Sequence, residues 1–421
     1  MHNEHTRITV DHLHTLHARQ AGAFRDETEG MTRSRFPLAT AERHNVALLV
    51  QTANDWSRQV LRGVANYAHE RGNWDFFIEP RGFYEHLKLP RDWQGDGVII
   101  RLTHDALARS IRRRRVPAVN VSWLGKHSQA IPKVVSDEAA CGRLAAEHFL
   151  ERGFRSFGYV GPVVELGYAN VLGEVFAKTV QENGYQCSEF TPPAARTEPQ
   201  TRRRRERLLR WLSRLRHPVG VLVWNTSTGR EITAICGTLG LQAPDDVAVV
   251  CSEHDPLISS LAPIPLSNLD QAPGRVGYEA AALLDRLIKG KSPPVQPIAI
   301  APIGVVQRQS SDTAATDDAL VATAMAFIRA HVREPIQVVD LEKTFDVSRR
   351  MLEHRFMKAL GSTPAAEIRR TRLEYCKRML VETDLPITAI ASQSGFNHPE
   401  VMIRAFQREL GTSPGAFRRS R

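Results

Sequence analysis

Cysteine is scarce in this chain of 421 residues, and what there is lies scattered. Cys141, Cys187, Cys236, Cys251 and Cys376 are odd in number and too far apart in sequence to form a metal clip. That usage fits a reducing cytoplasm better than a disulfide framework. Long apolar runs are missing as well. None reaches the ~18 residues that a membrane span needs, and the N-terminus lacks the apolar core of a signal peptide, so the expected setting is cytoplasmic with no membrane partner. There is also no Gly-rich phosphate loop, no metal-ligand cluster and no nucleophile elbow. No cofactor, no metal and no catalytic residue is therefore expected, and the chain does not read as an enzyme.

The length suits two to three domains at roughly 150 residues each, and the 42% hydrophobic content is ordinary for a chain with sizeable cores. The net charge of +10 is unevenly spread. Between Arg349 and Arg421 stand 14 Lys/Arg against 7 Asp/Glu, which leaves +7 on this stretch. Such a bias favours a polyanion as partner.

The segment TDLPITAIASQSGFNHPEVMIRAF, Thr383 to Phe406, reads as a helix-turn-helix. Pro386 opens a helix, where its fixed φ is tolerated. Ile387, Ile390 and Ala391 fall on one face, and Gly395 can supply the positive φ of the turn. Met402 and Phe406 turn inward on a second helix. The device occurs twice: Leu352, Phe356, Leu360, Gly361 and Pro364 recur fifty residues later as Met402, Phe406, Leu410, Gly411 and Pro414. The intervening stretch from Ala365 to Val381 is strongly helical, ~26 Å long at ~1.5 Å per residue. It could hold two reading heads in successive major grooves ~34 Å apart.

These residues, with Ser348, Arg372-Leu373, Leu380, Arg404 and Phe417-Arg418, resemble the AraC/XylS-type DNA-binding domain over about a quarter of the chain. Three positions depart from its pattern: Glu342 replaces a small helix residue, Asp346 a turn glycine, and Met402 an aromatic. Exposed positions on the first recognition helix are Arg349, Arg350, Glu353 and His354. On the second they are Asn397, His398, Glu400, Val401 and Arg404. Arg reads guanine bidentately, Glu accepts from cytosine, and Val can touch a thymine methyl. Arg369, Arg370 and Arg418 are expected to meet phosphates.

Residues 1–43 read as an unstructured extension. Met31 is a candidate start, since ordered patterning begins only at His44; an intact mass beginning upstream of Met31 would dismiss it. His2, His5, His12, His14 and His17 crowd this tail without a second ligand cluster, so a metal site is not expected. From His44 onward, short apolar strands alternate with amphipathic helices, the pattern of parallel sheets covered on both faces. The basic runs Arg112–Arg115 and Arg202–Arg207 lie on helices and read as solvated surface.

VVSDEAACGRLAAEHFLERGFRSFGYVGP, GVLVWNTSTGREITAICGTLGLQAPDDVAVVCSEHD and PLSNLDQAPGRVGYEAAALLDRLIKGKSP resemble the effector domain of LacI/GalR-type regulators. The resemblance implies an α/β two-lobed periplasmic-binding-protein-like domain, for effector binding and dimerisation, over 44–308. A linker, 309–317, and an all-α AraC-type domain with two helix-turn-helix motifs, 318–421, follow. This order resembles the XylR-type regulators of xylose operons. It implies a transcriptional regulator, expected to be an activator. The implied partners are operator or promoter DNA, a carbohydrate effector such as a pentose, a second copy of the chain in a homodimer, and RNA polymerase.

By position after the strands, the effector candidates are Asn54, Asp55, Arg101, Ser122, Trp123, Asn225, Thr226, Glu253, His254 and Asp255. Asp, Asn and Arg grip vicinal hydroxyls, and Trp covers the C–H face of a sugar. At three places where the family carries sugar-gripping groups, Leu172, Thr226 and Glu253 stand instead. Three readings thus stay open: a sugar sensor, a regulator with another polar effector or an empty pocket, and an enzyme fused to a DNA-binding tail.

Overall fold

The structure is a computed structural model that describes residues 43–71, 74–79, 87–102, 105–123, 131–163, 168, 170–313, 316 and 318–419. The expected N-terminal extension and its histidines lie outside the described residues, apart from Arg43.

The first lobe is built on strands β1 (His44–Leu49), β2 (Trp74–Ile78), β3 (Gly97–Ile100) and β4 (Ala118–Asn120), in the order β2-β1-β3-β4 and all parallel. A bridge from Asn120 to Lys133 hands this sheet on to β5 (Val134–Ser136), which pairs with β11 (Ile298–Ile300). Helices α1 (Asp55–Arg71) and α8 (Pro273–Ile288) cover one face, α2 (Asp105–Arg114) the other. α1 and α8 touch backbone to backbone. A Cβ on Gly63 would strike the Gly274 carbonyl, and one on Gly277 the Val60 carbonyl, so neither position tolerates a side chain.

The second lobe has six strands: β6 (Phe157–Val160), β7 (Cys187–Phe190), β8 (Val219–Val223), β9 (Val247–Cys251), β10 (Ser267–Asp270) and β12 (Gly304–Val306). Their order is β12-β10-β9-β8-β6-β7, with only β12 antiparallel. β8 and β9 are buried at every residue, as strands covered on both faces must be. α3 (Glu138–Glu151) and α4 (Val171–Glu182) pack on one face. α5 (Glu198–Leu212) and α6 (Thr226–Leu239) pack on the other, and α7 (Pro256–Ser260) follows β9. The chain crosses between lobes three times: after β5, after β10 and after β11.

The C-terminal part is helical: α9 (Ala319–Ala330), α10 (Val338–Phe345), α11 (Arg349–Leu360), α12 (Pro364–Glu382), α13 (Ile387–Gln393), α14 (Pro399–Leu410) and α15 (Pro414–Arg419). The fifty-residue repeat becomes two small cores. One gathers Leu341, Leu352 and Phe356 with α9; the other gathers Ile390, Ala391, Met402 and Phe406. α12 serves both, sending Ile368 into the first and Leu373, Cys376 and Leu380 into the second.

The expected linker begins inside the fold. Gln309–Ser311 form a 3-10 turn on the second lobe, and Ser310, Ser311, Asp312 and Thr313 are buried. Ser310 donates to the Val249 carbonyl at 2.6 Å, and the Ser311 hydroxyl lies 2.8 Å from that of Ser267. Small polar residues here satisfy buried strand-end groups; they do not make a free tether.

Candidate effector cleft and DNA-reading face

The cleft opens where strands of the two lobes end. It leaves about 470 Å³ of empty space, its open mouth included. The first lobe lines it with Trp56, Arg101, Ser122 and Trp123; the second with Glu138, Tyr168, Trp224, Ser252 and Glu253. Ser136 and Gln271 line it from two of the crossings.

Arg101 follows β3 and is buried. It donates to the Ser57 hydroxyl at 3.0 Å and lies over the Trp56 ring at 4.9 Å. Burial lowers its proton affinity, while the attraction of Glu253 opposes that. Burial pushes the Glu253 carboxyl up to about 7, with Arg101 pulling the other way. Glu138, in the first turn of α3, is pushed up to about 8 by burial despite a hydrogen bond from Tyr168. Its Oε2 is buried without a partner, as is Nε1 of Trp56. The Trp123 indole is already committed, donating to the Ser136 carbonyl at 3.0 Å, with Lys133 over its ring at 5.2 Å.

Of the sequence candidates, Arg101, Ser122, Trp123 and Glu253 come together on the cleft. The others do not line it. Asn54 caps α1 by accepting from the Ser57 N–H, and Asn225 caps α6 by accepting from Thr228. Thr226 is buried and donates to the Glu253 carbonyl at 2.9 Å. Asp255 caps α7, and the His254 ring is held neutral by burial, its value lowered to about 4. Asp55 and Asp255 both reach Arg58, at 3.5 and 3.8 Å, so an ion pair joins the two lobes beside the cleft. Strand-end position alone cannot separate a helix cap from a ligand group, because both need a short polar side chain there. Trp56, Glu138, Tyr168, Trp224, Ser252 and Gln271 were not foreseen. Glu138 carried a signal, as an acid one residue past a helix cap and bordered by apolar residues on the following turn.

In the helical domain, α10–α11 and α13–α14 form the two helix-turn-helix units. Asp346 closes α10 in the left-handed region at φ 50°, where Gly395 stands at φ 67° in the second unit. Asp is among the few residues that adopt this conformation readily. Glu342 is only half buried, so the first unit packs without a small residue there. Met402 fills its core position completely buried. Arg349, Arg350, His354, Asn397, His398, Glu400, Val401 and Arg404 are exposed, and Glu353 is partly so. Arg349 and Glu353 pair with each other at 2.9 Å.

The phosphate reading of two arginines does not survive. Arg370 pairs with Glu367 and with Asp312 of the second lobe, and Arg418 donates to the carbonyls of Leu380 and Leu385. Arg369 lies 3.6 Å from Glu409. Arg378 donates to Gln309 at 3.0 Å, and Arg329 pairs with Asp245. α12 and α9 are therefore fastened to the second lobe through a row of arginines. Arg372 works within the domain, donating to the Ile336 carbonyl at 2.7 Å and lying over the Phe396 ring at 5.8 Å.

The thiols offer no nucleophile. Cys141, Cys236, Cys251 and Cys376 are buried, and burial raises every one of the five above its ordinary value, the reverse of an activated cysteine. Among the described residues no group of three or more His, Cys, Asp or Glu could hold a metal ion, and no helix is long and apolar enough to cross a membrane.

Comparison with known proteins agrees with this assembly. Residues 45–138 match the XylR N-terminal domain family, 146–311 the periplasmic binding protein-like domain, and 341–420 a helix-turn-helix domain. The xylose operon regulatory protein of Escherichia coli (strain K12) is 28% identical over 90% of this chain and 97% of its own length. Its Haemophilus influenzae counterpart is 25% identical over 90% and 99%. A solved structure of the xylose-binding transcription activator XylR superposes with a TM-score of 0.71 at 26% identity, covering 90% of this chain and 99% of that one.

Fold and sites together define a class: a DNA-binding transcriptional regulator in which a two-lobed periplasmic-binding-type domain precedes an AraC-type double helix-turn-helix. Within that class, the chain is similar to the XylR-type regulators over 90% of its length.

Proposed function

We propose that this regulator is a pentose sensor, with xylose as its first candidate effector, and that it activates transcription as a homodimer in the cytoplasm. The observation that carries the reading is the cleft itself: a small polar chamber walled by aromatic rings, shared between two lobes. Rings cover the apolar faces of a sugar while Arg101, Ser122, Glu138 and Glu253 address its hydroxyls. The relatives named for xylose and its operon support the choice of pentose.

On the DNA side, Arg350, His354, Asn397, His398, Glu400, Val401 and Arg404 are the proposed base readers, with Arg349 and Glu353 acting as a pair. The domain division proposed is an effector unit running to Thr313 and a DNA-binding unit from Asp318 onward, with RNA polymerase as the partner of the DNA-bound dimer. The buried, high-pKa thiols support a regulator without enzymatic activity.

Thermal melting of the full chain against pentoses, hexoses, sugar acids and sugar phosphates tests the sensor. Xylose is expected to raise the melting temperature with increasing concentration. Flat melting across the panel would remove the sugar reading.

A further inference from the structure

Helix α5 and the turn that closes it carry a second concentration of positive charge, outside the DNA-binding domain. Residues 196–216 hold nine Arg against two Glu, or +7, as much as the whole stretch from Arg349 to Arg421. The sequence alone reads Arg202–Arg207 as solvated surface, and the structure accounts for two of its members. Arg202 pairs with Glu206 at 3.2 Å, and Arg204 reaches Glu231 of α6 at 3.5 Å. Four other arginines form a row. Arg203, Arg207 and Arg210 recur at helical spacing on the side opposite the buried Leu208 and Leu212, and Arg214 continues the row in the closing turn. All four are exposed. Arg203, Arg207 and Arg214 meet no partner among the described residues, and Arg210 reaches only its own helix, 3.4 Å from the Glu206 carbonyl.

The row is ~16 Å long at ~1.5 Å per residue, with neighbours ~5–6 Å apart. Like charges at that spacing repel, and Arg203 and Arg207 stand too far from the C-terminus for the helix dipole to favour them. A regularly charged polyanion reverses that cost, and a guanidinium fork grips phosphate two oxygens at a time. The row also ends beside the seat of the DNA-binding domain. Just past Arg216, the His217 ring and the Val219 N–H meet the Asp246 carbonyl at 3.3 and 2.9 Å. The adjacent Asp245 pairs with Arg329 of α9 and accepts from Thr313. We propose that Arg203, Arg207, Arg210 and Arg214 bind the phosphate backbone of DNA flanking the operator, so that the duplex held by α11 and α14 curves onto the second lobe. The row reads no bases; it adds affinity through charge and lengthens the protein's footprint.

The test measures binding of the full chain to two duplexes over a range of salt. One ends at the operator recovered from a randomised pool; the other extends it by two helical turns, about 20 base pairs, on each side. Wild type is expected to hold the extended duplex about fivefold or more tightly near ~0.1 M salt, with a steeper salt dependence. Arg203→Gln, Arg207→Gln, Arg210→Gln and Arg214→Gln together are expected to abolish this advantage. They should also lower the slope of log affinity against log salt by about one for each arginine lost, while leaving base preference and the short duplex unaffected. Lys at the same four positions keeps the charge and is expected to keep most of the advantage. Melting reports whether the variants fold; Arg210→Glu alone, expected to halve the advantage at least, serves if the fourfold variant does not. Binding to the short duplex reports the helix-turn-helix units separately. Wild type indifferent to duplex length would overturn the proposal, as would an undiminished advantage in the folded Gln variant. An equal loss on both duplexes would overturn it too, moving the effect inside the operator. So would a Gln variant that binds both duplexes like wild type but stimulates transcription less, which would place an acidic protein on the row instead.

Discussion

Glu138 and His148 stand ten residues apart on the same helix, one at the effector cleft and the other at the seat of the DNA-binding domain. At ~1.5 Å per residue the helix carries ~15 Å of rigid length between them. His148 Nε2 lies 2.9 Å from the Ser311 hydroxyl, and burial keeps the ring neutral, lowering it to about 3. Ser311 adjoins Asp312, which pairs with Arg370 of α12. These contacts form a continuous connection, through a hydrogen bond and one ion pair, from the cleft end of α3 to the helix that carries both reading heads. His148→Ala is expected to leave effector affinity within about twofold while removing most of the effector's influence on DNA affinity, a coupling of about 5-fold or more in ordinary allosteric proteins. Titrating DNA with and without effector measures it; undiminished coupling in the variant would refute this route.

Arg404 is exposed on α14 and bonds only weakly to its own helix, 3.4 Å from the Glu400 carbonyl. Arg404→Ala is expected to cost about 1–3 kcal/mol in operator binding and to relax preference at one base pair. Arg370→Ala is expected to leave base preference intact, because its side chain faces Asp312 and Glu367. Selection of bound sequences from a randomised pool separates the two, and an unchanged preference in Arg404→Ala would sink the assignment.

Gly395 and Gly411 share a φ of 67°, but their surroundings differ. A Cβ on Gly411 meets nothing within 4 Å, whereas one on Gly395 would strike the Glu334 carbonyl and approach Arg372 Nε at 2.8 Å. Gly411→Ala is expected to cost only the left-handed penalty, about 1–2 kcal/mol. Gly395→Ala is expected to cost more and to loosen the turn between α13 and α14. Comparable denaturation midpoints for the two variants would contradict this.

Alongside Glu253, Glu138 contributes to the pH dependence of the ligand-free protein. Its folded value, about 8, lies above the ordinary 4.5, so the folded state holds this proton more tightly than the unfolded one. The resulting stabilisation is complete below about pH 4.5, declines as the pH rises, and is gone above about pH 8. It amounts to a few kcal/mol at most, at about 1.4 kcal/mol for each tenfold change in proton affinity. Tyr168, Tyr159, Asp137 and Cys141 face the group from its own lobe, and Arg101 and Glu253 lie across or along the cleft. Glu138→Gln removes only this titration, so its melting temperature is expected to gain on wild type as pH rises from 4.5 to 8. A constant gap across that interval would dismiss the effect.

The helical domain was legible almost residue by residue, because helix spacing, a turn residue and a repeat all depend on local sequence. Asp346 shows how little a departure from the pattern matters when the replacement tolerates the same backbone. The cleft was legible only in part. Arg101, Ser122, Trp123 and Glu253 follow strands and reach it, and Glu138 stands two residues past β5 beside a helix cap, but Tyr168 lies between β6 and α4, well beyond the end of a strand, where a strand-end rule does not look. The arginines misread as phosphate contacts failed for a related reason. A basic side chain on a helix looks the same in sequence whether DNA or Asp312 lies opposite.

α12 is both the spacer between the two reading heads and the part bolted to the sensor. Nineteen residues of helix, flanked by two cores that each include it, fix the distance between heads within one protomer. An effector that reoriented the domain would swing that pair without stretching it. For the homodimer proposed above, the operator is thereby divided into two kinds of spacing. The interval inside a half-site is hard-wired, and one inserted base pair there should be beyond rescue by any concentration of sugar. The interval between half-sites is the one the signal can retune.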